Sequence, residues 1–186
     1  EAVAQFIYKI YNELNKKIVV LLTSYEMLKK VHQQLKILDK DSDMVLLTQG
    51  ISSGSREKLK KLYSANEQAV LIGTNSFWEG FDISYDDYKL VIMTRLPFDS
   101  PSNPLFKAKA KHLKAKKLNV FKYLSLPQAI LRFRQAFGRL IRNENDYGIL
   151  FILDHRIISK SYGKKFVESI PNVPIHQGKI NDVVDD

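Results

Sequence analysis

Three polar side chains in the last third of the chain have the types and spacing of a polyphosphate site. Gln135, Arg139 and Arg142 recur every three or four residues in Pro127–Arg142, whose pattern predicts one helix, and Arg132 extends the same row. Side chains at this spacing share one helix face, and the opposite face is apolar. A planar guanidinium binds two phosphate oxygens at once, and arginines without nearby acids repel one another until an anion arrives. The row therefore predicts an anion site, and an ordinary basic surface helix is the alternative.

A second polar group follows directly after an apolar run that ends at Gly73. Its members are Thr74, Asn75, Glu79, Gly80 and Asp82. A hydroxyl and the backbone N–H groups at the end of a strand can hold a phosphate. Trp78, the only tryptophan of the chain, either stacks on a base or packs in the core, and the core is the commoner place for a single tryptophan.

A third pair of hydroxyl groups, on Thr23 and Ser24, lies between an apolar run and a helical pattern. Either residue is a natural N-cap for that helix, which explains both hydroxyls without a ligand. The N-terminus of a helix is also a ready phosphate site, so a ligand contact stays open as the second interpretation. Thr48-Gln49-Gly50 ends the next strand in the same way and is a weaker candidate for a further contact.

These residues need a scaffold that brings several strand ends together. Nearly continuous apolar runs, typical of strands covered on both faces, predict strands at Ile18–Thr23, Met44–Leu47, Ala69–Gly73, Leu90–Thr94 and Gly148–Leu153. Helical patterns alternate with them, at Val3–Leu14, Tyr25–Leu38, Arg56–Tyr63, Asn103–Leu118, Pro127–Arg142 and Lys160–Ser169. The alternation predicts an α/β fold with a parallel sheet, helices on both faces and ligands beyond the carboxyl ends of the strands.

The boundaries of these elements have their own signals. Ser125 is a plausible N-cap for the arginine-bearing helix, with Pro127 in its first turn. Three prolines between Pro97 and Pro104 predict an extended loop. Residues 1–170 are expected to form one domain, and residues 171–186 are expected to form a polar tail.

The charge of the chain is concentrated in one stretch. The formal net charge is +9, yet Ser100–Asn143 contains no acidic residue and carries seven lysines and four arginines. Such a block usually faces phosphate and favours nucleic acid as a partner. A solvated lysine-rich face is the alternative.

Other classes of protein fit the composition poorly. No apolar run approaches the roughly 20 residues of a membrane span, so no membrane contact is expected. Without cysteine the chain offers no disulfide, thiolate zinc site or iron–sulfur cluster, and its histidines have no ligand spacing, so no bound metal is expected. We expect no signal peptide and a cytoplasmic location. The start at Glu1 rather than methionine is expected for a piece of a longer protein.

A family resemblance rests on three strings. Gln135-Ala-Phe-Gly-Arg-Leu-Ile-Arg142 resembles motif VI of superfamily 2 helicases. Phe77-Trp-Glu-Gly-Phe-Asp82, at the end of a strand, resembles motif V in the form typical of DinG-like and XPD-like proteins. Val19–Leu28 resembles motif IV, and Asp154-x-Arg156 resembles a further element of the family, for which a local salt bridge is an equally good explanation. The strings lie in the family's order and cover about residues 18–171.

The resemblance implies a RecA-like second motor lobe and a role for each site residue. Arg139 and Arg142 would act as arginine fingers on ATP bound to the other lobe, with Gln135 near the γ-phosphate. Glu79, Gly80 and Asp82 would face the nucleotide or the other lobe. Single-stranded DNA would contact Thr23, Ser24, Thr74 and Asn75.

The phosphate-binding half of such a motor is missing from the sequence. There is no G-x-x-x-x-G-K-[ST] string and no acidic strand end of the Asp-Glu-x-His type. The resemblance assigns those parts to a first lobe of the same parent chain, which would hold most of the ATP and Mg²⁺. The expected partners are therefore ATP, that first lobe and single-stranded DNA, and the isolated chain is expected not to hydrolyse ATP.

The resemblance to DinG-like helicases implies a role of the motor in DNA replication or repair. Three other functions stay open. Some DinG-like proteins join a 3′→5′ exonuclease to the motor lobes, and there this lobe would bind ATP and DNA and regulate the nuclease. A plain nucleic-acid-binding module explains the charge but not the ordered strings. An enzyme that clamps a phosphorylated metabolite with its arginines is a third possibility, although no base, nucleophile or metal cluster is evident in the sequence.

Overall fold

The structure, a computed structural model, describes residues 1–41, 43–74, 89–141 and 146–179, with the side chains of Lys89 and Arg139 outside the description. The chain divides into two compact units, which we describe separately. Unit 1 comprises residues 1–95, 139–153 and 173–186, and unit 2 comprises residues 96–138 and 154–172.

Unit 1 is built on a parallel sheet. Its strands are β1 (Ile18–Leu22), β2 (Leu46–Thr48), β3 (Val70–Thr74), β4 (Lys89–Met93) and β5 (Gly148–Ile152). The described strands form a five-stranded sheet in the order β2-β3-β1-β4-β5. Every pairing is parallel, and all five residues of β1 are buried, so both faces of the central strand are covered. The predicted parallel α/β sheet is thus confirmed, and each predicted strand is present within two residues of its expected bounds.

Unit 1 has one helix before its first strand and two helices that connect the first three strands. They are α1 (Ala2–Leu14), α2 (Tyr25–Leu38) and α3 (Arg56–Ala65). Helices α1 and α2 pack on each other, and their apolar residues join alternate residues of β1, β3 and β4 in one core. Phe6 of α1 meets Phe151 of β5 edge to face, with ring centroids 5.3 Å apart. This packing fixes the sheet whose carboxyl edge holds the candidate residues.

Unit 2 is helical in its described secondary structure. It contains α4 (Pro104–Ala115), a π-helical turn (Phe121–Ser125), most of α5 (Leu126–Leu140), α6 (Arg156–Ser159) and α7 (Gly163–Val167). Its core centres on the fully buried Phe133 and Phe166, whose rings meet edge to face at 5.5 Å. A Cβ on Gly163 would lie 1.9 Å from the carbonyl oxygen of Ile157, so the close turn before α7 requires glycine.

Three predicted boundaries were wrong. Ser125 does not cap the arginine-bearing helix, because the chain is already helical from Phe121 and the Asn119 side chain accepts the N–H of Lys122 at 2.9 Å. Residues 160–169 are not one helix, because the turn before Gly163 interrupts them. Strand β2 begins two residues later than expected, because the N–H of Met44 donates to the carboxylate of Asp39 at 3.2 Å instead of joining the ladder.

Candidate functional site

The carboxyl edge of the sheet brings three predicted segments side by side. Strands β2, β3 and β1 are neighbours, and Thr74 lies at the register position of Leu22, one residue before Thr23. Adjacent strands are about 4.8 Å apart, so the ends of these strands form a continuous row of polar groups. In the described part of unit 1, Thr23, Thr74 and the end of β2 thus lie at one edge of the sheet.

Gln49 connects two of these strand ends. Its side-chain carbonyl oxygen accepts the backbone N–H of Thr74 at 2.8 Å and the hydroxyl of Thr74 at 3.0 Å. The backbone N–H of Gln49 donates to the carbonyl of Ile72 at 2.9 Å. The sequence suggested at most an extra ligand contact for Gln49. In the structure it positions Thr74, which is the residue that motif V assigns to a DNA phosphate.

Ser24 behaves as the N-cap that the sequence allowed. Its side-chain oxygen accepts the N–H of Met27 at 3.2 Å at the start of α2. Thr23 beside it is half-buried, and Ser24 is exposed. The capping role explains Ser24 structurally, and a ligand contact by either hydroxyl stays a prediction.

A tyrosine that the sequence reading passed over covers the turn after β2. Gly50 has a φ of +68°, and a Cβ placed there would overlap the hydroxyl of Tyr25. Tyr25 is 40% exposed, and the ammonium of Lys29 lies 5.3 Å from the centre of its ring. The exposed start of α2 thus places an aromatic face and a cation beside the polar row. Its signal in the sequence was an aromatic residue directly after a predicted N-cap.

The end of β2 is also held by a contact between a half-buried histidine of α2 and a buried hydroxyl. The hydroxyl of Thr48, which is fully buried, lies 2.9 Å from Nδ1 of His32 on α2. Burial, with a smaller effect from the charge of Lys36, lowers the pKa of His32, so the neutral imidazole is favoured at this contact. The backbone N–H of Thr48 donates to the hydroxyl of Ser52 at 2.9 Å, which closes the turn.

Replacing Gln49 with alanine is expected to lower the free energy of unfolding by about 1–2 kcal/mol, because the half-buried end of β3 loses an acceptor for two donors. Urea unfolding followed by far-ultraviolet circular dichroism measures the change. Gln49→Glu keeps an acceptor and is expected to retain most of the stability. Gln33→Ala, an exposed glutamine of α2, is the matched control. Equal midpoints for Gln49→Ala and Gln33→Ala would contradict the positioning role.

On unit 2, the polar face of α5 is only partly available to a ligand. Gln135 is exposed, and a Cβ on Gly138 would meet no described atom of this chain within 4 Å. Arg132 is different, because it forms an ion pair with Asp99 in the proline loop at 2.9 Å. The expected row of arginines without nearby acids was therefore wrong at Arg132, since an acid just before the acid-free stretch reaches it.

Several predicted site residues lie outside the described residues. They are Asn75, Glu79, Gly80, Asp82 and Arg142. Arg139 belongs to α5 by its backbone, and its side chain also lies outside the description. Whether Gln135, Arg139 and Arg142 point together therefore stays a prediction.

Asp154, in unit 2, is a structural residue in the described contacts. Its buried carboxylate accepts the N–H of Leu96 at 2.8 Å and pairs with the guanidinium of Arg156 at 2.6 Å. Burial alone would raise the pKa of Asp154. Hydrogen bonds from the Arg156 side chain and from the N–H groups of Leu96 and Arg156, with the charge of Arg156, lower it on balance. The local salt bridge that the sequence allowed is present.

Neither a metal cluster nor a membrane-spanning helix occurs among the described residues. In that part of the chain, no three His, Asp or Glu side chains come together as a metal site would require. No described helix is both long and apolar enough to cross a membrane.

Comparison with known proteins gives concordant matches. A family model described as the helicase C-terminal domain matches residues 7–173. A Bacillus subtilis protein named 3′-5′ exonuclease DinG is 45% identical over 94% of this chain and 19% of its own length. A Haemophilus influenzae protein named ATP-dependent DNA helicase YoaA is 35% identical over 86% of this chain and 24% of its own length. The chain thus spans about a fifth of these relatives.

Solved structures match in fold. A structure named XPD helicase superposes with a TM-score of 0.67 at 25% identity, over 90% of this chain and 30% of the other. Domain 2 of the Mss116p DEAD-box helicase, solved with an RNA duplex, gives a TM-score of 0.56 at 15% identity, over 98% of this chain and 62% of the other. At this identity, the match supports the fold alone. The expected RecA-like α/β fold is confirmed.

Proposed function

The chain belongs to the helicase C-terminal domain family, as the C-terminal lobe of a DinG/XPD-type helicase, and we propose that it is the second lobe of an ATP-dependent DNA motor. In this proposal it completes an ATP site whose phosphate-binding half belongs to a first lobe, and it contributes part of a track for single-stranded DNA. A cytoplasmic location and a role in DNA replication or repair belong to the same proposal.

The observation that carries the proposal is the face of α5 around Gln135 and Gly138. Gln135 is exposed, and the described residues of this chain leave open space over Gly138. A glycine that its own chain does not require suits the close approach of a second surface. Arg139 follows directly in the same helix, so a nucleotide on a partner lobe would meet Gln135 and Arg139 from this side.

The proposed chemistry is charge stabilisation across two lobes. Arg139 and Arg142 reach ATP bound mainly by the first lobe and stabilise the charge that develops on the γ-phosphoryl oxygens during its transfer to water. Gln135 hydrogen-bonds near the γ-phosphate, and Glu79, Gly80 and Asp82 contact the nucleotide or the other lobe. Mg²⁺ bound with the ATP neutralises phosphate charge, and its ligands are expected mainly on the first lobe.

The proposed strand contact is the polar row at the carboxyl edge of unit 1. Thr23 and Ser24 at the start of α2 supply hydroxyl and N–H donors for successive phosphates. Thr74 joins them by turning its hydroxyl proton from Gln49 to a phosphate, with Asn75 beside it. These donors lie on adjacent strand ends of one rigid sheet, so lobe closure would move them as a block. Cycles of ATP binding and hydrolysis would then step the strand.

The division of labour between lobes gives a direct test. We expect the full-length protein that carries this chain to hydrolyse ATP with Mg²⁺ and faster with single-stranded DNA, and the isolated 186-residue chain to show no turnover above background. Phosphate release from both proteins at equal concentration is the measurement. Mg²⁺-dependent turnover by the isolated chain would overturn the proposal.

A second function is favoured by one observation, which is that the relative with 45% identity is named 3′-5′ exonuclease DinG. In that case this lobe would bind ATP and DNA and regulate a nuclease in the same parent chain. The same full-length preparation distinguishes the two. ATP-independent digestion of a single strand from its 3′ end, without DNA-stimulated ATP hydrolysis, would favour the regulatory lobe.

A further inference from the structure

Unit 2 carries a large unbalanced positive charge. All of its residues are described, and it has thirteen lysines and arginines against three acidic residues. The three acids are already engaged, since Asp99 pairs with Arg132, Asp154 with Arg156, and Glu168 with Lys164. No acid within unit 2 therefore remains to balance the lysines of α4, and among the described residues none of these lysines forms an ion pair.

Three lysines of α4 lie along one side of the helix. Lys107, Lys111 and Lys114 follow an i, i+4, i+7 spacing, which places them within about 60° of one another around the axis and along about 10 Å of its length. All three are exposed, and Ala110 is the buried residue of the helix. Like charges at this spacing destabilise the isolated helix, and a polyanion removes that cost.

An exposed aromatic ring accompanies this lysine row. The π-helical turn contacts α4, and within it Tyr123 is 53% exposed with the ammonium of Lys122 lying 5.5 Å from its ring centre. The turn itself is anchored, because the ring of Phe121 stacks on Phe98 with centroids 5.9 Å apart and meets Tyr162 at 5.2 Å. An anchored backbone thus holds the exposed ring of Tyr123 beside Lys122, on a turn that contacts α4.

We propose that α4 and Tyr123 form a second binding surface for single-stranded nucleic acid, with the lysine row on the phosphates and Tyr123 stacked on a base. Lysines that follow a backbone and an aromatic face that accepts any base are the two parts of a sequence-tolerant single-strand site. A duplex offers phosphates but keeps its base faces stacked, so it would not use Tyr123. The inference rests on the proposed function only in that the parent protein handles a single strand, and it concerns residues of unit 2 rather than the carboxyl edge of unit 1.

The test measures binding of the 186-residue chain to a fluorescein-labelled oligothymidylate of about 16 nucleotides by anisotropy over a salt series. Replacing Lys107, Lys111 and Lys114 together by glutamine is expected to weaken binding about tenfold or more and to reduce the slope of log K against log salt by about 2. Tyr123→Ala is expected to weaken binding about 5- to 100-fold, and Tyr123→Phe to restore it.

Matched controls separate this surface from bulk charge and from the other strand contact. A triple glutamine variant of three exposed unit 1 lysines, Lys16, Lys36 and Lys40, removes the same charge near the opposite, amino edge of the sheet. This control variant is expected to change the affinity for the same oligothymidylate less than threefold. Thr74→Val, measured in parallel, reports on the carboxyl edge, so the two proposals fail separately. Unchanged thermal unfolding by circular dichroism verifies the fold of each variant.

Three results would overturn the inference. One is an equal loss of binding in the two triple glutamine variants, which would mean that net charge alone determines the affinity. Another is wild-type binding by Tyr123→Ala. The third is an equal loss of affinity for a duplex of the same length in the Tyr123→Ala variant, which would assign the surface to double-stranded nucleic acid.

Discussion

Arg139→Ala in the full-length protein is expected to lower DNA-stimulated ATP hydrolysis by about 10³-fold or more, with binding of single-stranded DNA largely kept. An arginine that stabilises charge on a transferring phosphoryl group supplies about this much rate, because it acts on the transition state more than on bound ATP. Steady-state phosphate release at saturating ATP and oligothymidylate gives kcat, and anisotropy gives the DNA affinity.

The same helix offers the control for this prediction. Arg134 is exposed on α5 and lies about 140° around the axis from Arg139, the residue for which it is the control. Arg134→Ala removes the same charge and is expected to keep kcat within about threefold, since it leaves the transition state untouched. Equal kcat for wild type and Arg139→Ala would defeat the arginine-finger assignment.

Asp154→Ala is expected to lower the free energy of unfolding by about 3 kcal/mol. The change removes the acceptor of the buried Leu96 N–H and leaves the guanidinium of Arg156 without its partner. Because the Arg156 side chain is 40% exposed, water compensates part of the loss, which keeps the cost at the lower end for a broken buried pair. Urea unfolding measures the change, provided that the slope of the unfolding free energy against urea concentration is the same for both proteins.

An exposed ion pair of the same unit calibrates that value. Glu168 pairs with Lys164 at 3.3 Å on the surface of α7, where both side chains are more than half exposed. Glu168→Ala is expected to change stability by less than about 0.5 kcal/mol. Similar midpoints for Asp154→Ala and Glu168→Ala would contradict the structural role of Asp154.

The stability that Asp154 contributes also has a defined pH dependence. Its pKa in the folded chain is held below the ordinary value of about 4, so the ionised form is the stabilising one. The contribution is fully present above the ordinary pKa and is lost as the pH falls through the lower, folded value. The stability difference between wild type and Asp154→Asn is therefore expected to be constant near neutral pH and to shrink below about pH 4.

Much of the fold followed from local patterns in the sequence. Strands buried on both faces must be apolar along their whole length, so β1, β3 and β4 were visible as continuous runs. Helix α2 was predicted at its observed bounds because Ser24 caps it and its apolar period is unbroken. The general rules for α/β proteins predicted that the strands would be parallel. They did not predict the order of the strands in the sheet, because pairing partners are set by long-range packing.

The misses all depend on contacts that a local pattern does not contain. The π-helical turn arises where the N–H of Leu126 reaches the carbonyl of Phe121 five residues earlier, a geometry that helical periodicity does not signal. The break before Gly163 depends on a backbone contact with Ile157. The ion pair of Arg132 depends on the path of a loop that returns Asp99 to α5.

The candidate site divides in the same way. Residue types made Thr23, Thr74 and Gln135 candidates, because hydroxyls at strand ends and amides beside arginines suit a phosphate ligand, and their binding roles stay predictions. The support behind them was not predictable in detail. Gln49 reaches Thr74 across 25 residues of sequence, and His32 of helix α2 reaches Thr48 of strand β2. Such contacts exist only once β2 lies beside β3 and against α2.

The most direct test of the two-lobe account is a structure of the full-length protein with Mg²⁺, ADP and aluminium fluoride, which mimics the transferring γ-phosphoryl group. We expect the guanidinium nitrogens of Arg139 and Arg142 to lie within about 3 Å of the fluoride atoms or of the oxygen that bridges the β-phosphate and the aluminium. The rest of the nucleotide is expected on the other lobe. Nucleotide held in this geometry with both arginines directed away from it would contradict the account.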